Sequence, residues 1–216
     1  MRITGIPRHD EIIRESHRQF VSAERALRER LREDPVGGLD ELIKFYSNAG
    51  RVGEAITCLR ERMALTAGSE SKAADLTRIG ELHSRAEEHA EAMECFLAAL
   101  ELKPSSGALL IEIQLCMGEC LLALQRCTEA EEHLRKALQS DSILAVPALR
   151  ALGRALAGQG RWAEAAACYA EGWRINRLDR RCSKWLVELV FEHPELEPAF
   201  AGVVQEIRAE HTRILV

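Results

Sequence analysis

The sequence predicts an all-α fold built from repeated helical hairpins. Apolar residues make up 47% of the 216-residue chain but aromatic residues only 5%, and Ala, Leu, Glu and Arg dominate it. These residues favour helices, whereas strands need runs of β-branched and aromatic residues. In addition, Gly80, Gly118 and Gly153 each precede an alanine by twelve residues. We therefore expect several copies of one two-helix unit and no β-sheet.

The N-terminal segment, residues 1–35, is predicted to contain a capping helix. Ile13, Phe20, Leu27 and Leu31 fall on one side of a helix drawn through this segment, and charged residues occupy the other side. An amphipathic stripe of this kind is typical of a helix that packs one face on its neighbour.

Four hairpins are predicted to follow, over residues 36–69, 73–106, 111–144 and 146–179. In the last three, the alanine is followed by a large apolar residue at four and a small residue at seven, which places all three on one face of a second helix. Glycine inside a helix costs about 1 kcal/mol relative to alanine, so three glycines in register indicate close packing. The three sets are Ala92, Phe96 and Ala99; Ala130, Leu134 and Ala137; and Ala165, Tyr169 and Gly172.

The two ends of the array are predicted to be degenerate. In the first hairpin Ile43 stands at the glycine position and Arg62 at the small-residue position. Residues 180–216 are expected to form a degenerate fifth repeat with C-terminal capping helices, and Val187 stands at its glycine position. Such divergence suits the end units of a stack. The alanine of the fifth repeat would be Ala199, and the apolar stripe that closes the stack comprises Leu196, Phe200, Val203 and Ile207.

The repeated pattern resembles the tetratricopeptide repeat (TPR) family, whose period is 34 residues. Equivalent alanines recur here every 34 to 38 residues, and the resemblance covers roughly residues 36–213. It implies a right-handed superhelical solenoid of about four to five hairpins, with a concave groove that grips a peptide or helix of a partner protein. The pattern is most complete at Ile79, Gly80, Ala92, Phe96, Ala99 and Pro104.

Enzymatic, metal-binding and nucleotide-binding sites are not predicted. The G-x-G-x-x-A match at 158–163 lies in a turn between two predicted helices, not after a strand. Cys116, Cys120 and Cys127 with His133 supply half of the ligand pairs of a zinc site, and buried cysteine commonly packs as a small hydrophobe. The histidines form no HExxH motif. We therefore expect no enzyme activity, no cofactor and no metal.

Charge and cysteine content favour a cytoplasmic protein with protein partners. The 29 Lys+Arg against 34 Asp+Glu give a net charge of -5, which disfavours nucleic-acid binding. The most apolar run, 108–124, contains Glu112, Gln114 and Glu119 and is too short and too polar to span a membrane. The seven cysteines and the absence of a signal-peptide pattern at the start indicate a reducing compartment.

The groove implied by the TPR resemblance supplies the candidate binding residues. Counting from the glycine positions gives an apolar middle flanked by cations, which predicts a partner with an apolar anchor and an acidic flank. TPR proteins that act with chaperones hold a terminal carboxylate with Lys-x3-Asn and Lys-x3-Arg pairs, which this chain matches only in fragments. The charges could equally be solvated side chains paired with Glu81 and Glu119. The candidates are Lys44, Asn48, Arg85, Leu115, Leu122, Arg150 and Arg154.

The sequence therefore predicts a non-catalytic scaffold or adaptor that binds a segment of another protein. One alternative is a self-assembling scaffold, or a subunit of a larger complex, whose apolar end Ile214, Leu215 and Val216 packs on copies of the same chain. The other alternative is a regulatory domain that is attached to an enzyme or serves one.

Overall fold

The computed structural model describes residues 9–138 and 144–214, and the described residues form helices with no strand. The predicted all-α fold is confirmed. The chain divides into two compact units between Asp75 and Leu76, which we call unit 1 and unit 2. The helices are α1 (His9–Glu33), α2 (Pro35–Asn48), α3 (Val52–Leu65), α4 (Ser69–Arg85), α5 (His89–Glu101), α6 (Gly107–Ala123), α7 (Cys127–Ala137), α8 (Ala145–Gly158), α9 (Trp162–Ile175), α10 (Arg180–Glu192) and α11 (Glu197–Ile214), with a short 3-10 helix (Pro194–Leu196) before α11.

Unit 1 contains α1, the hairpin of α2 and α3, and the start of α4. The carboxylate of Asp34 caps α2 by accepting a hydrogen bond from the backbone N–H of Gly37 at 3.0 Å, and proline follows at the first helical position. The ring of Phe20 lies 4.5 Å from the ring of Phe45, centroid to centroid, so α1 packs on α2 through the predicted stripe. Ile13 of that stripe lies outside the described side chains.

Unit 2 contains the rest of the array, and its hairpins explain the three glycines. A Cβ atom at Gly80, Gly118 or Gly153 would lie 2.6, 2.5 or 2.3 Å from the side chain at the large apolar position of the second helix. The two helices therefore approach too closely for any side chain at the glycine. The alanines twelve residues later are 0% exposed, which confirms the predicted packing. These large residues are Phe96, Leu134 and Tyr169.

We call α4, α6, α8 and α10 the first helices, since each is followed by the second helix of its hairpin. Neighbouring first helices contact one another in unit 2. The thiol of Cys120 lies 3.5 Å from the hydroxyl of Ser84, joining α6 to α4, and α6 also packs on α8. A continuous hydrophobic core runs from Leu115 to Ile207. The predicted limits of the repeats stay a prediction.

The last hairpin departs from the alanine register. Ala199 is exposed, whereas the predicted stripe faces the core at Leu196, Val203 and Ile207, with Phe200 half-buried. The 3-10 helix that precedes α11 changes the connection between the two helices, so the spacing of the inner hairpins does not carry over. The expectation that Ala199 packs like the other alanines is wrong. The predicted apolar end at 214–216 lies outside the described side chains.

Candidate partner-binding surface on the first helices

The candidate surface is the solvent-facing side of the first helices in unit 2, which we call the first-helix face. Two positions of each repeat contribute to it: the residue directly after the glycine position and the residue five after it. Arg85, Glu119 and Arg154 occupy such positions and are exposed. The same positions in unit 1 are Lys44 and Asn48, which lie one turn apart on α2 and are also exposed.

The two leucines predicted as an apolar floor belong to the interior. Leu115 is 7% exposed and Leu122 is 5% exposed, and both are part of the hydrophobic core. Leu115 stands three residues before the glycine, where Thr77 of the preceding repeat is also buried. Side chains at this position therefore point between neighbouring helices and not to solvent. The predicted exposed floor at Leu115 and Leu122 is therefore wrong.

Arg150 occupies the same position in α8 and is committed to an internal ion pair. Its guanidinium lies 3.2 Å from the carboxylate of Asp179, and both side chains are largely buried. Asp179 caps α10 by accepting hydrogen bonds at 2.9 Å from the backbone N–H groups of Arg181 and Cys182. Burial acts to raise the pKa of Asp179, but these N–H groups and the charge of Arg150 hold it below its usual value. The expectation that Arg150 is an exposed cation is corrected: it joins α8 to the cap of α10.

The α4–α6 part of the face is acidic. Burial, together with the neighbouring carboxylate of Glu112, raises the pKa of Glu81, while the charges of Arg85 and Arg78 act in the opposite direction. The Cys116 thiol, whose pKa is also raised by burial, lies 3.9 Å from the carboxylate of Glu81. A thiol with a raised pKa is a poor nucleophile, so this cysteine serves as packing. Arg85 therefore faces an acidic neighbour, as the solvated-charge interpretation expects.

The α8–α10 part of the face holds a depression with an aromatic wall. The ring of Trp185 lies 5.6 Å from that of Tyr169, and the guanidinium carbon of Arg154 lies 5.9 Å from the Trp185 ring. Burial raises the pKa of Tyr169, so its phenol stays neutral. The depression has a volume of about 370 Å³, and we call it the Trp185 depression. Its lining residues are Arg154, Ala157, Tyr169, Trp185, Glu188, Leu189 and Glu192.

Of the residues that line this depression, the sequence analysis selected only Arg154 as a binding residue, and Trp185, Glu188 and Glu192 are among those that it missed. A usable signal existed for the two glutamates, because they stand one and five residues after Val187, the glycine position of the fifth repeat. The position directly after the glycine position holds Arg154 in the fourth repeat and Glu188 in the fifth. Trp185 carried no such signal, since its exposure depends on how α10 packs on α9.

The described residues contain no group of His, Cys, Asp or Glu side chains that could hold a metal ion. All seven cysteines are free thiols. His133, a member of the candidate zinc set, instead contacts the amide oxygen of Gln114 at 2.8 Å, and burial lowers its pKa. None of the helices in the described part of the chain has the length and apolar character to cross a membrane.

Comparison with known proteins finds matches to a repeat family in two segments of the chain. Two tetratricopeptide-repeat family models match the chain, one over residues 76–106 and the other over residues 148–180. The confirmed resemblance therefore includes the unit in which the sequence pattern is most complete. No curated protein sequence matches the chain.

Solved structures share the fold. The chain is similar to BtubC (BKLC) from P. vanneervenii, with 17% identity, a TM-score of 0.66, and coverage of 89% of this chain and 87% of that one. It is similar to MamA 41-end from Desulfovibrio magneticus RS-1, with 16% identity, a TM-score of 0.63, and coverage of 82% and 97%. YrrB, described as a TPR protein with an unusual peptide-binding site, has 16% identity, a TM-score of 0.60, and coverage of 87% and 94%. Identities this low show the fold alone.

Proposed function

Because the chain contains tetratricopeptide repeats, we propose that it is a non-catalytic interaction scaffold that binds a segment of another protein on the first-helix face of unit 2. Repeat arrays of this kind present extended surfaces to peptides and helices. The observation that carries the proposal is the Trp185 depression. It combines Trp, Tyr and Arg, the three residue types most enriched among binding hot spots.

The depression specifies the chemistry of the bound segment. Its aromatic wall fits an apolar side chain, which would displace water from Trp185 and Tyr169. Arg154 borders it from α8 and provides the site for an acidic flank. Glu188 and Glu192 border it from α10 and call for a basic residue in the same segment. The bound segment is thus an apolar anchor with charges of opposite sign on its two sides.

The structure of the neighbouring residues argues against a chaperone-tail clamp. Such a clamp needs two cations directed at one carboxylate, and of the Arg150–Arg154 pair, Arg150 is engaged by Asp179. We place the protein in the cytoplasm, where seven free thiols would stay reduced.

Site-specific photo-crosslinking in the native cell tests this function. A photoreactive residue at position 188 should crosslink to a protein segment, and mass spectrometry of the adduct should find an apolar residue flanked by charges. The same probe at Glu171, which is exposed on α9, is the control and should not crosslink to that segment. Equal crosslinking from both positions would show that the first-helix face is not the binding surface.

A charge reversal separates binding from folding. Arg154→Glu should reduce crosslinking from position 188 about tenfold, the effect of losing about 1.4 kcal/mol of interaction. Arg174→Glu, an exposed arginine on α9, should leave the yield at the parental level. Both variants should melt like the parent because both side chains are exposed. A parental crosslinking yield for Arg154→Glu would remove this arginine from the site.

A further inference from the structure

A second apolar surface lies at the last hairpin, apart from the first-helix face. Phe191 on α10 is 84% exposed, and it borders a groove of about 270 Å³ between α10 and α11. Val187, Val190, Ala201 and Val204 form its apolar walls. We call this groove the terminal groove. Phe191 and the apolar walls of the groove form one patch with a polar rim of Glu197, Gln205 and Arg208, an arrangement typical of an interaction surface.

The terminal groove faces away from the preceding hairpin. On α10, Cys182 lies against Gly172 of α9 and Trp185 against Tyr169, whereas Val187 and Phe191 line the terminal groove. In the preceding hairpin the equivalent side is covered by α10, whose Trp185 packs on Tyr169. Within the part of the chain that the structure describes, no further helix follows α11 to cover the terminal groove in the same way.

The stripe that α11 presents to the groove is self-complementary. Glu197, Ala201, Val204 and Arg208 line it at spacings of four, three and four residues, so they share one helix face. The spacings are the same when the stripe is followed from Arg208 back to Glu197, but the acidic and basic ends are then exchanged. Two copies of α11 in antiparallel contact therefore place Glu197 of each copy opposite Arg208 of the other, with the half-buried Ala201 of each copy between the two charged pairs. Val204 is 7% exposed and supports the stripe from the core side.

We infer that two copies of this chain associate through their terminal grooves, about a two-fold axis that crosses the middle of α11. A two-fold interface uses the same patch on both copies, so one patch must supply both a projecting group and a recess. Here Phe191 is the projecting group, and the terminal groove of the other copy is the recess that accepts it. The charges at the two ends of the stripe add attraction in this orientation and repulsion in the parallel one. The Arg208 guanidinium has five N–H donors and can serve a carboxylate of the other copy beside its own contacts.

Sedimentation across a dilution series of the full chain tests the dimer. The parent should sediment as a species of twice the 24.1 kDa of one chain at micromolar concentration. Phe191→Glu should raise the dissociation constant about 30-fold or more, since it buries a charge where a hot-spot aromatic lay. Leu178→Glu is the matched control, because Leu178 is also a highly exposed apolar residue, at 81%, but lies in the connection before α10. It should leave the dissociation constant unchanged.

Charge exchange tests the antiparallel geometry itself. Glu197→Arg and Arg208→Glu should each weaken the dimer, and the double variant should restore it, because every intermolecular pair is then re-formed. Within one helix these residues are eleven positions apart, or about 16 Å, too far to rescue each other. A monomeric parent at every concentration overturns the inference and leaves a helix of another protein as the occupant. A dimer that survives Phe191→Glu, or a double variant that stays weakened, also overturns it.

Discussion

The first hairpin (α2 and α3) and the fourth hairpin (α8 and α9) place different residues at equivalent positions. Where the fourth has Gly153, the first has Ile43, and where the fourth has Gly172, the first has Arg62. Ile43 is 1% exposed and Arg62 only 9% exposed, so neither has moved to the surface. Equivalent positions of the repeat can therefore hold a glycine, which lets two backbones approach closely, or a larger buried side chain, which in the case of Arg62 is charged.

The difference concerns how each hairpin contacts the helix that follows it. A Cβ atom at Gly172 would lie 2.9 Å from the sulfur of Cys182, so a small residue lets α10 pack closely. In unit 1 the guanidinium of Arg62 reaches Asp75 on α4, with Nε at 3.2 Å from the carboxylate, and also pairs with Asp40 on α2. Asp75 and Cys182 both stand five residues before the next glycine position. An apolar contact in one repeat is thus replaced by an ion pair in the other.

The largest expected effect comes from breaking this ion pair. Arg62→Ala should destabilise unit 1 by about 3–5 kcal/mol, because it leaves the carboxylate of Asp75, which is 0% exposed, buried without its charge partner. Urea unfolding followed by circular dichroism measures the change. The double variant Arg62→Leu with Asp75→Leu should recover most of the loss, since apolar residues can replace a buried pair. A single variant within 1 kcal/mol of the parent would contradict the assigned role.

The second test adds a methyl group to the close approach in the fourth hairpin. Gly153→Ala should cost about 1–3 kcal/mol, because the new Cβ would lie 2.3 Å from the ring of Tyr169, which cannot move aside without disturbing Trp185. Gly53→Ala in α3 is the control, since nothing lies within 4 Å of its added Cβ. It should be neutral or stabilising by up to about 1 kcal/mol through helix propensity. Equal melting temperatures for the two variants would remove the steric explanation.

The arginines that open the second helices extend the comparison. Arg161 donates hydrogen bonds to Glu131 of the preceding second helix at 2.7 and 2.9 Å, and Gln159 donates to the same carboxylate at 2.9 Å. Burial acts to raise the pKa of Glu131, but these donors and Arg135 lower it to about 2. Arg51 of the first hairpin lies over the rings of Phe20 and Tyr46, at 5.4 and 5.6 Å, and it also pairs with the carboxylates of Glu54 and Glu24.

Glu131 should make the stability of unit 2 depend on pH. Its pKa is lower in the folded state than the ordinary 4.5, so its contribution is complete above 4.5 and is lost as the pH falls toward about 2. Glu131→Gln should cost about 1 kcal/mol at pH 7 and should reduce the slope of stability between these two values. Thermal unfolding at a series of pH values measures both effects. An unchanged slope would show that another carboxylate governs acid unfolding.

The smallest expected effect is at the equivalent arginine of the first hairpin. Arg51→Lys should cost about 0.5 kcal/mol, because lysine keeps the charge but stacks less well on aromatic rings. The loss should depend less on salt than the corresponding Arg161→Lys loss, because the ring contacts of Arg51 are not screened and only its pairs with Glu54 and Glu24 are. Thermal unfolding at two salt concentrations makes the comparison. Equal salt sensitivity of the two variants would show that the ring contact contributes nothing.

The sequence by itself determined the helical hairpins, the register of Ala92, Ala130 and Ala165, and the close approach at Gly80, Gly118 and Gly153. These features depend on contacts inside one hairpin, between residues at fixed short separations, and such contacts leave a periodic pattern. The register failed at Ala199, where the connection between the two helices differs.

Only the tertiary structure decided which polar and apolar side chains of the first helices reach solvent. Arg150 and Arg154 look alike in sequence, yet one pairs with Asp179 and the other borders the Trp185 depression. Leu115 and Leu122 look like a groove floor but fill the core. In each case the outcome depends on a neighbouring repeat, because burial and ion pairing are set by which helix packs alongside. No local spacing encodes that choice, since the partner lies some thirty residues away along the chain, as Asp179 does from Arg150.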